Sequence, residues 1–218
     1  LPRNSEATWK APSKPQKTPW PGSKGKPLPD KSSDTKTALL DVAELAVRSR
    51  GFDGFSYADL AQVVGIRKAS IHYHFPTKAD LTAALVERYH NALDQECHRI
   101  ETQHKTGRDR LQAMIQLYRD ALNDGTTLCL CVSLISSRES LSIGVIEKIK
   151  AFRAMMVARF AEVFRQCQQE NSIRDVSDPV AEARAALALL EGAHLSARAE
   201  NNVDAFDRAL WILTSRLR

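Results

Sequence analysis

Residues 51–81 read GFDGFSYADLAQVVGIRKASIHYHFPTKADL, and this stretch decides the fold. Its apolar residues fall at helical spacing, and its punctuation is that of short helices. Ser56 is a good N-cap for a helix from Tyr57 to about Val64, which Gly65 stops. A second helix spans about Arg67 to His74 and halts before Pro76, because proline disfavours helical backbone in the residue ahead of it. Thr77 then caps a third, from Lys78 through Leu81, Leu85 and Tyr89 to about Thr102. Two short helices joined by a tight glycine-containing turn make a helix-turn-helix. Leu60, Ala61, Val64 and Ile71 supply the contacts that fix the angle between them. The second helix is left presenting Arg67, Lys68, Ser70, His72, Tyr73 and His74, groups suited to phosphates and base edges in a major groove.

Working outward, Leu39, Leu40, Val42, Ala43, Leu45, Ala46 and Val47 predict a helix that ends near Arg50 and Gly51. Beyond Gly107 the periodicity predicts helices at about 108–123, 127–139, 142–170, 179–200 and 203–217. In the third of these, Ile146, Ile149, Phe152, Met156, Phe160, Val163 and Cys167 form one apolar stripe. Pro179 suits the first turn of the next. The chain from Asp34 onward reads as all-α.

Residues 1–33 differ in kind. They contain Pro2, Pro12, Pro15, Pro19, Pro21, Pro27 and Pro29, interleaved with Lys, Ser and Gly, and read as a flexible basic arm. The net charge of +5 also belongs here. Residues 1–37 carry eight Lys/Arg against Glu6, Asp30 and Asp34, so the remainder is neutral. A basic isoelectric point is therefore no argument that the folded body binds nucleic acid; that argument rests on local pattern.

Composition narrows the class further. With 218 residues, 43% hydrophobic and 26% charged, the chain is neither collagenous nor wholly disordered, and it is long enough to bury a core. No apolar run reaches the ~18–20 residues of a membrane span, and the first residues lack the apolar centre of a secretion signal. Four irregularly spaced cysteines, Cys97, Cys129, Cys131 and Cys167, read as reduced thiols of a cytoplasmic protein.

The ordered run through this segment resembles the DNA-binding half of the TetR/AcrR family of bacterial transcription regulators. The matching features are Gly51-Phe52, Asp59-Leu60-Ala61, Gly65-Ile66, the run Lys68-Ala69-Ser70-Ile71-His72-Tyr73-His74-Phe75-Pro76-Thr77-Lys78, and Asp80-Leu81. It departs from the family at Phe55 (usually Thr), Arg67 (usually small and polar), Ala69 (usually Gly) and His72 (often Tyr). The resemblance implies a three-helix helix-turn-helix domain over 34–80 and a larger helical ligand-binding and dimerisation domain over 81–218. It implies a homodimer on a palindromic double-stranded DNA operator, most often a repressor released by a small-molecule effector, with no cofactor and no membrane partner. Effector binding would tilt the helix beginning at Lys78 and change the separation of the two reading heads. DNA contacts are expected from Ser56, Tyr57, Arg67, Lys68, Ala69, Ser70, His72, Tyr73, His74 and Lys78, the last holding a phosphate at a helix start.

Expectations for the second domain are as follows. Met114, Tyr118, Cys129, Val132, Met155, Met156 and Arg159 would line a pocket for a hydrophobic or amphipathic effector. Ala183, Leu187, Leu190, His194, Phe206, Leu210 and Leu213 would form the two-fold interface of an Ala-rich helix and its successor. Cys129 and Cys131, in the first turns of the helix at 127–139, allow a second reading as a thiol sensor of electrophiles or oxidants, since free N–H groups at a helix start favour a thiolate. Against that stands the use of cysteine as a small buried hydrophobe. A non-specific architectural binder driven by the basic arm is the remote alternative. His72 and His74, two apart on a helix, point to nearly opposite sides, so no metal is expected. No nucleophile–base–orienter pattern is legible, so no enzyme is expected either.

Overall fold

The computed structural model describes residues 31–218, with side chains from Thr35 onward; the arm expected over 1–33 lies, up to residue 30, outside the described residues. Nine α-helices follow in order among these residues: α1 (Lys31–Arg50), α2 (Tyr57–Val64), α3 (Lys68–His74), α4 (Lys78–Gln103), α5 (Gly107–Asp120), α6 (Leu130–Ile135), α7 (Ile143–Gln169), α8 (Pro179–Glu200) and α9 (Asp204–Thr214). A single 3-10 turn, Arg138–Ser140, separates α6 from α7. The all-α expectation, with a helix-turn-helix domain ahead of a larger helical one, holds.

Local chemistry sets these boundaries. Ser56 and Asp59 form a reciprocal capping box at the start of α2, and Gly65 ends that helix at φ +77°, a backbone that favours glycine. Thr77 and Asp80 repeat the box at α4. The Asp178 carboxylate accepts the N–H groups of Val180 and Ala181 ahead of Pro179 at the start of α8. Gly107 is needed for proximity: a Cβ there would sit 2.6 Å from Cys167 N, so α5 begins pressed against α7.

The helix expected at 127–139 is shorter. Asn123, Asp124 and Gly125 take positive φ, and the Leu128 N–H bonds to Arg48 O at 2.9 Å instead of joining a helix. Cys129 becomes the N-cap of the six-residue α6.

The head, α1–α3 with the start of α4, closes around Leu39, Ala43, Val47, Phe55, Leu60, Ile71, Phe75, Leu81 and Leu85. In the second domain α7 packs between α4, α5 and α8, and α9 lies against α8. Val145, Ile149, Phe152, Met156, Phe160, Val163 and Cys167 face inward from α7. Ile146 is half-buried, one position off the expected stripe. Ion pairs tie the layers: Arg88 of α4 to Asp41 and Glu44 of α1, Arg119 of α5 to Asp207 of α9, and Arg153 of α7 to Glu191 of α8. Among the described residues no helix is long and apolar enough to cross a membrane.

Candidate functional site

α3 is anchored by one buried residue, Ile71, and by Phe75 just past its end. The rest of it faces outward: Arg67, Lys68, Ala69, His72 and Tyr73 are exposed, Ser70 and His74 half-buried. Tyr73 is 84% exposed, and among the described residues its ring meets the edge of His74, with centroids 5.2 Å apart. An aromatic ring left in water contributes little to the fold and is open to a surface outside the chain. His72 is held in one orientation. Its Nδ1 lies 3.1 Å from Pro76 O and its ring stands edge-on to Tyr57. A carbonyl only accepts, so Nδ1 carries the proton, and Nε2 of the neutral ring is an acceptor suited to an exocyclic base amine.

Two expected DNA contacts are spent inside the head. Tyr57 is buried, and its hydroxyl donates to Phe75 O at 2.9 Å and Thr77 O at 2.6 Å, tying α2 to the α3–α4 turn. Burial, then the nearby Asp80 carboxylate, pushes its pKa up to about 12, so it stays a donor. Lys78 does not reach outward as a phosphate hook. Its Nζ donates to Phe55 O at 2.8 Å and lies 4.4 and 4.2 Å from the Phe52 and Phe55 ring centroids. Desolvation lowers its pKa, opposed by Asp53 and Asp59. Phe55, the departure from family pattern, supplies both the carbonyl and one ring. Ser56 is exposed, with its hydroxyl engaged with Asp59.

The second-domain residues divide into two groups. Met114, Tyr118, Cys129, Val132 and Met156 are buried together in its core. Met155 and Arg159 sit on a flank of α7 instead, half-buried. Arg159 is ion-paired there to Asp94 and Glu101 of α4, so its charge is already matched and it does not belong to the core set. Within the core, His194 Nδ1 accepts the Cys129 N–H at 3.1 Å and Nε2 lies 2.8 Å from Tyr118 O. That pattern requires the neutral ring with its proton on Nε2. Burial lowers the His194 pKa to about 4.

The Tyr89 hydroxyl donates to Cys129 Sγ at 3.3 Å. The N–H groups of Val132 and Cys131 also point at that sulfur, as a helix start predicts, yet burial outweighs them and the Cys129 pKa is raised. The Cys131 thiol is pushed up further by burial. Tyr118 is the exception to this satisfaction: its hydroxyl is buried with no hydrogen-bond partner. Burial raises its pKa well above the ordinary value, and the nearby Cys129, Glu191, Cys131 and Cys97 act in the same direction.

The expected dimer residues point the wrong way. Ala183, Leu187, Leu190, His194, Phe206, Leu210 and Leu213 are each 0–4% exposed within the single chain. They form the seam of α8 and α9 with their own core and have no surface left for a partner. The outward faces carry other residues: Ala181, Ala185, Ala188, Gly192 and Leu195 on α8, and Trp211 and Ile212 on α9, the last two 68% and 64% exposed. The run Leu210-Trp211-Ile212-Leu213 was the available signal, since four consecutive apolar residues cannot share one helix face. Among the described residues no three His, Cys, Asp or Glu side chains converge as a metal would need.

Comparison with known proteins places this geometry. Residues 39–85 match the family described as bacterial regulatory proteins, tetR family. The chain is 25% identical over 183 residues to the HTH-type transcriptional repressor NemR of Escherichia coli, covering 81% of this chain and 90% of that one. It is 27% identical over 95 residues to the HTH-type transcriptional regulator TtgR of Pseudomonas putida, covering 44% of each. Among solved structures, a TetR-family transcriptional regulator from Agrobacterium tumefaciens superposes with a TM-score of 0.81 at 28% identity, over 86% of this chain and 99% of that one. The reduced form of E. coli NemR superposes with a TM-score of 0.73 at 22% identity, over 85% and 97%. The head, the helical body behind it and these likenesses agree: residues 39–85 match the tetR family of bacterial regulatory proteins, and the chain as a whole resembles TetR-family transcription regulators in its fold.

Proposed function

We propose that this chain is a ligand-responsive, sequence-specific DNA-binding regulator, a repressor that binds a palindromic operator as a homodimer and leaves it when a small hydrophobic effector binds. The observation that carries the reading is α3: one buried anchor, and an outward face of Arg67, Lys68, Ser70, His72, Tyr73 and His74. The names of NemR, a repressor, and TtgR, a regulator, support the same class. Binding selection from random duplexes is expected to return a palindrome whose half-sites lie one helical turn, or a multiple of it, apart. Equal affinity for all duplexes would instead favour the architectural binder driven by the basic arm.

The effector is uncharged on this reading. The core around Met114, Tyr118, Val132 and Met156 offers no unmatched charge: His194 is neutral, the thiols are held protonated, and Arg153 is paired with Glu191. What it offers is the Tyr118 hydroxyl. A buried hydroxyl without a partner costs about 1–3 kcal/mol, which a ligand oxygen can recover. Tyr118→Phe is therefore expected to melt at or above the wild-type temperature. It should also lose about tenfold in apparent affinity for a neutral effector, the worth of ~1.4 kcal/mol. Thermal melts and operator release check both. A variant that melts lower and responds as before would assign the hydroxyl to structure alone.

One observation favours the thiol reading as the alternative. Tyr89 and two backbone N–H groups already converge on Cys129 Sγ, so a thiolate formed there on opening of the core has donors waiting.

A further inference from the structure

The last turn of any helix leaves carbonyls without intrahelical donors. In α1 those of Val47, Arg48 and Ser49 are received by the second domain. Ser133 Oγ donates to Val47 O at 2.5 Å, the Leu128 N–H to Arg48 O at 2.9 Å, and Arg198 Nη2 to Ser49 O at 3.0 Å. Val47 O also takes the Gly51 N–H, inside the head.

α1 caps the second domain in return. Arg48 Nη2 donates to Ala121 O, the carbonyl just past α5, at 2.5 Å, and Nε donates to Leu128 O at 2.9 Å. Nη1 lies 3.5 Å from Glu44, which Arg88 of α4 also holds. Residue 48 is 8% exposed, so these bonds are made largely away from water. Leu128 leads directly into Cys129, whose N–H is held by His194 and whose sulfur is held by Tyr89. The joint and the core therefore share one stretch of backbone.

Such a joint is close to all-or-none. Rotating the head by a few ångströms breaks the cross-domain bonds of Val47, Arg48, Ser49, Ala121 and Leu128 together, leaving Val47 O with only the Gly51 N–H and Ala121 O with only the Thr127 hydroxyl. Buried polar groups are costly to leave unpaired. Intermediate angles are thus disfavoured, and the head is held at a definite inclination to the body. In a two-fold dimer that inclination fixes the distance between the two α3 helices.

We infer that Arg48 is the positioning residue of a mutual-capping joint that sets which half-site spacing the dimer accepts. The inference rests on reading the chain as a dimeric operator-binding regulator, and it adds the element through which a change near Cys129 reaches the head. Arg48 touches no DNA; it acts through the angle of α1.

The test uses the full chain and the palindrome selected by the wild type, rebuilt with its half-sites moved apart or together by one and two base pairs. Wild type should show a sharp optimum. Arg48→Met keeps the apolar stem and removes the guanidinium. It should lose about tenfold at the optimum while losing little at the neighbouring spacings, so the profile flattens, and base substitutions within a half-site should cost it what they cost wild type. Ser133→Ala, which removes one bond from the opposite side of the joint, should flatten the profile in the same sense by two- to fivefold. It decides the matter alone if Arg48→Met does not fold. A uniform loss at every spacing, or an unchanged profile in both variants, overturns the joint while leaving the regulator reading intact. Failure of wild type to select any palindrome overturns that reading itself.

Discussion

In a Tyr73→Ala variant, operator affinity falls by ~1–3 kcal/mol, about 5- to 150-fold, while the melting temperature and affinity for unrelated duplex stay where they were. The expectation follows from the 84% exposure of Tyr73, whose ring meets His74 edge-on among the described residues and so has little packing to lose. Surface substitutions of this kind ordinarily change stability by no more than ~0.5 kcal/mol. Lys78→Met gives the opposite pattern. Its ammonium is bound to Phe55 O and enclosed by Phe52 and Phe55, so the variant melts earlier. Its salt dependence of binding stays parallel to wild type, whereas loss of a phosphate contact lowers that slope by about one. Titrations at several salt concentrations, beside thermal melts, separate the two roles. Unchanged operator discrimination in Tyr73→Ala would mean that α3 is not the reading helix.

Gly192→Arg tests the second large effect, the loss of the dimer. Gly192 lies on the outward face of α8, and a Cβ there meets nothing within 4 Å in the single chain. An arginine is therefore neutral to the monomer fold and obstructive to any helix packed across it. With Leu195 on α8 and Trp211 and Ile212 on α9 also exposed, these outward faces are the ones that a second copy would cover. Joining two reading heads raises avidity by ~10²–10⁴ without new base contacts, so the variant should lose at least 100-fold on the palindrome. Light scattering should report a monomer and circular dichroism an unaltered helix content. A Gly192→Arg dimer that binds at wild-type strength would move the interface elsewhere.

The two halves of the molecule were not equally legible. Ser56, Gly65, Thr77 and Pro179 announce helix ends through backbone chemistry that acts within four residues, and α2, α3 and α4 follow to within a residue or so. Which face of a helix turns inward is a tertiary fact. α8 is apolar on both sides, with Leu187 and Leu190 on one and Ala188, Gly192 and Leu195 on the other. Periodicity cannot choose between them: it offers the larger side chains to the interface, and the structure puts them in the core. Lys78 misled for a related reason. A lysine at a helix start fits a phosphate equally well whether or not two phenyl rings and a carbonyl lie within its reach, and Phe52 and Phe55 approach it only through the loop between α1 and α2. Arg48 carried no signal at all, because its acceptors at Ala121 and Leu128 lie 73 and 80 residues away.

The buried thiols have a kinetic consequence. All four cysteines are buried, and the Cys131 pKa is raised by that burial. A bulky alkylating reagent meets the sulfur only during an excursion in which α6 parts from its neighbours. The observed labelling rate is then the population of that excursion multiplied by the reactivity of an ordinary solvated thiol. Each cysteine is in this sense a native stopwatch for its own neighbourhood. The rates at Cys129 and Cys131 time the core around α6, while those at Cys97 and Cys167 time α4 and the far end of α7. Whatever quiets the core, operator or effector, slows the first pair and leaves the second running, with no probe attached to the protein.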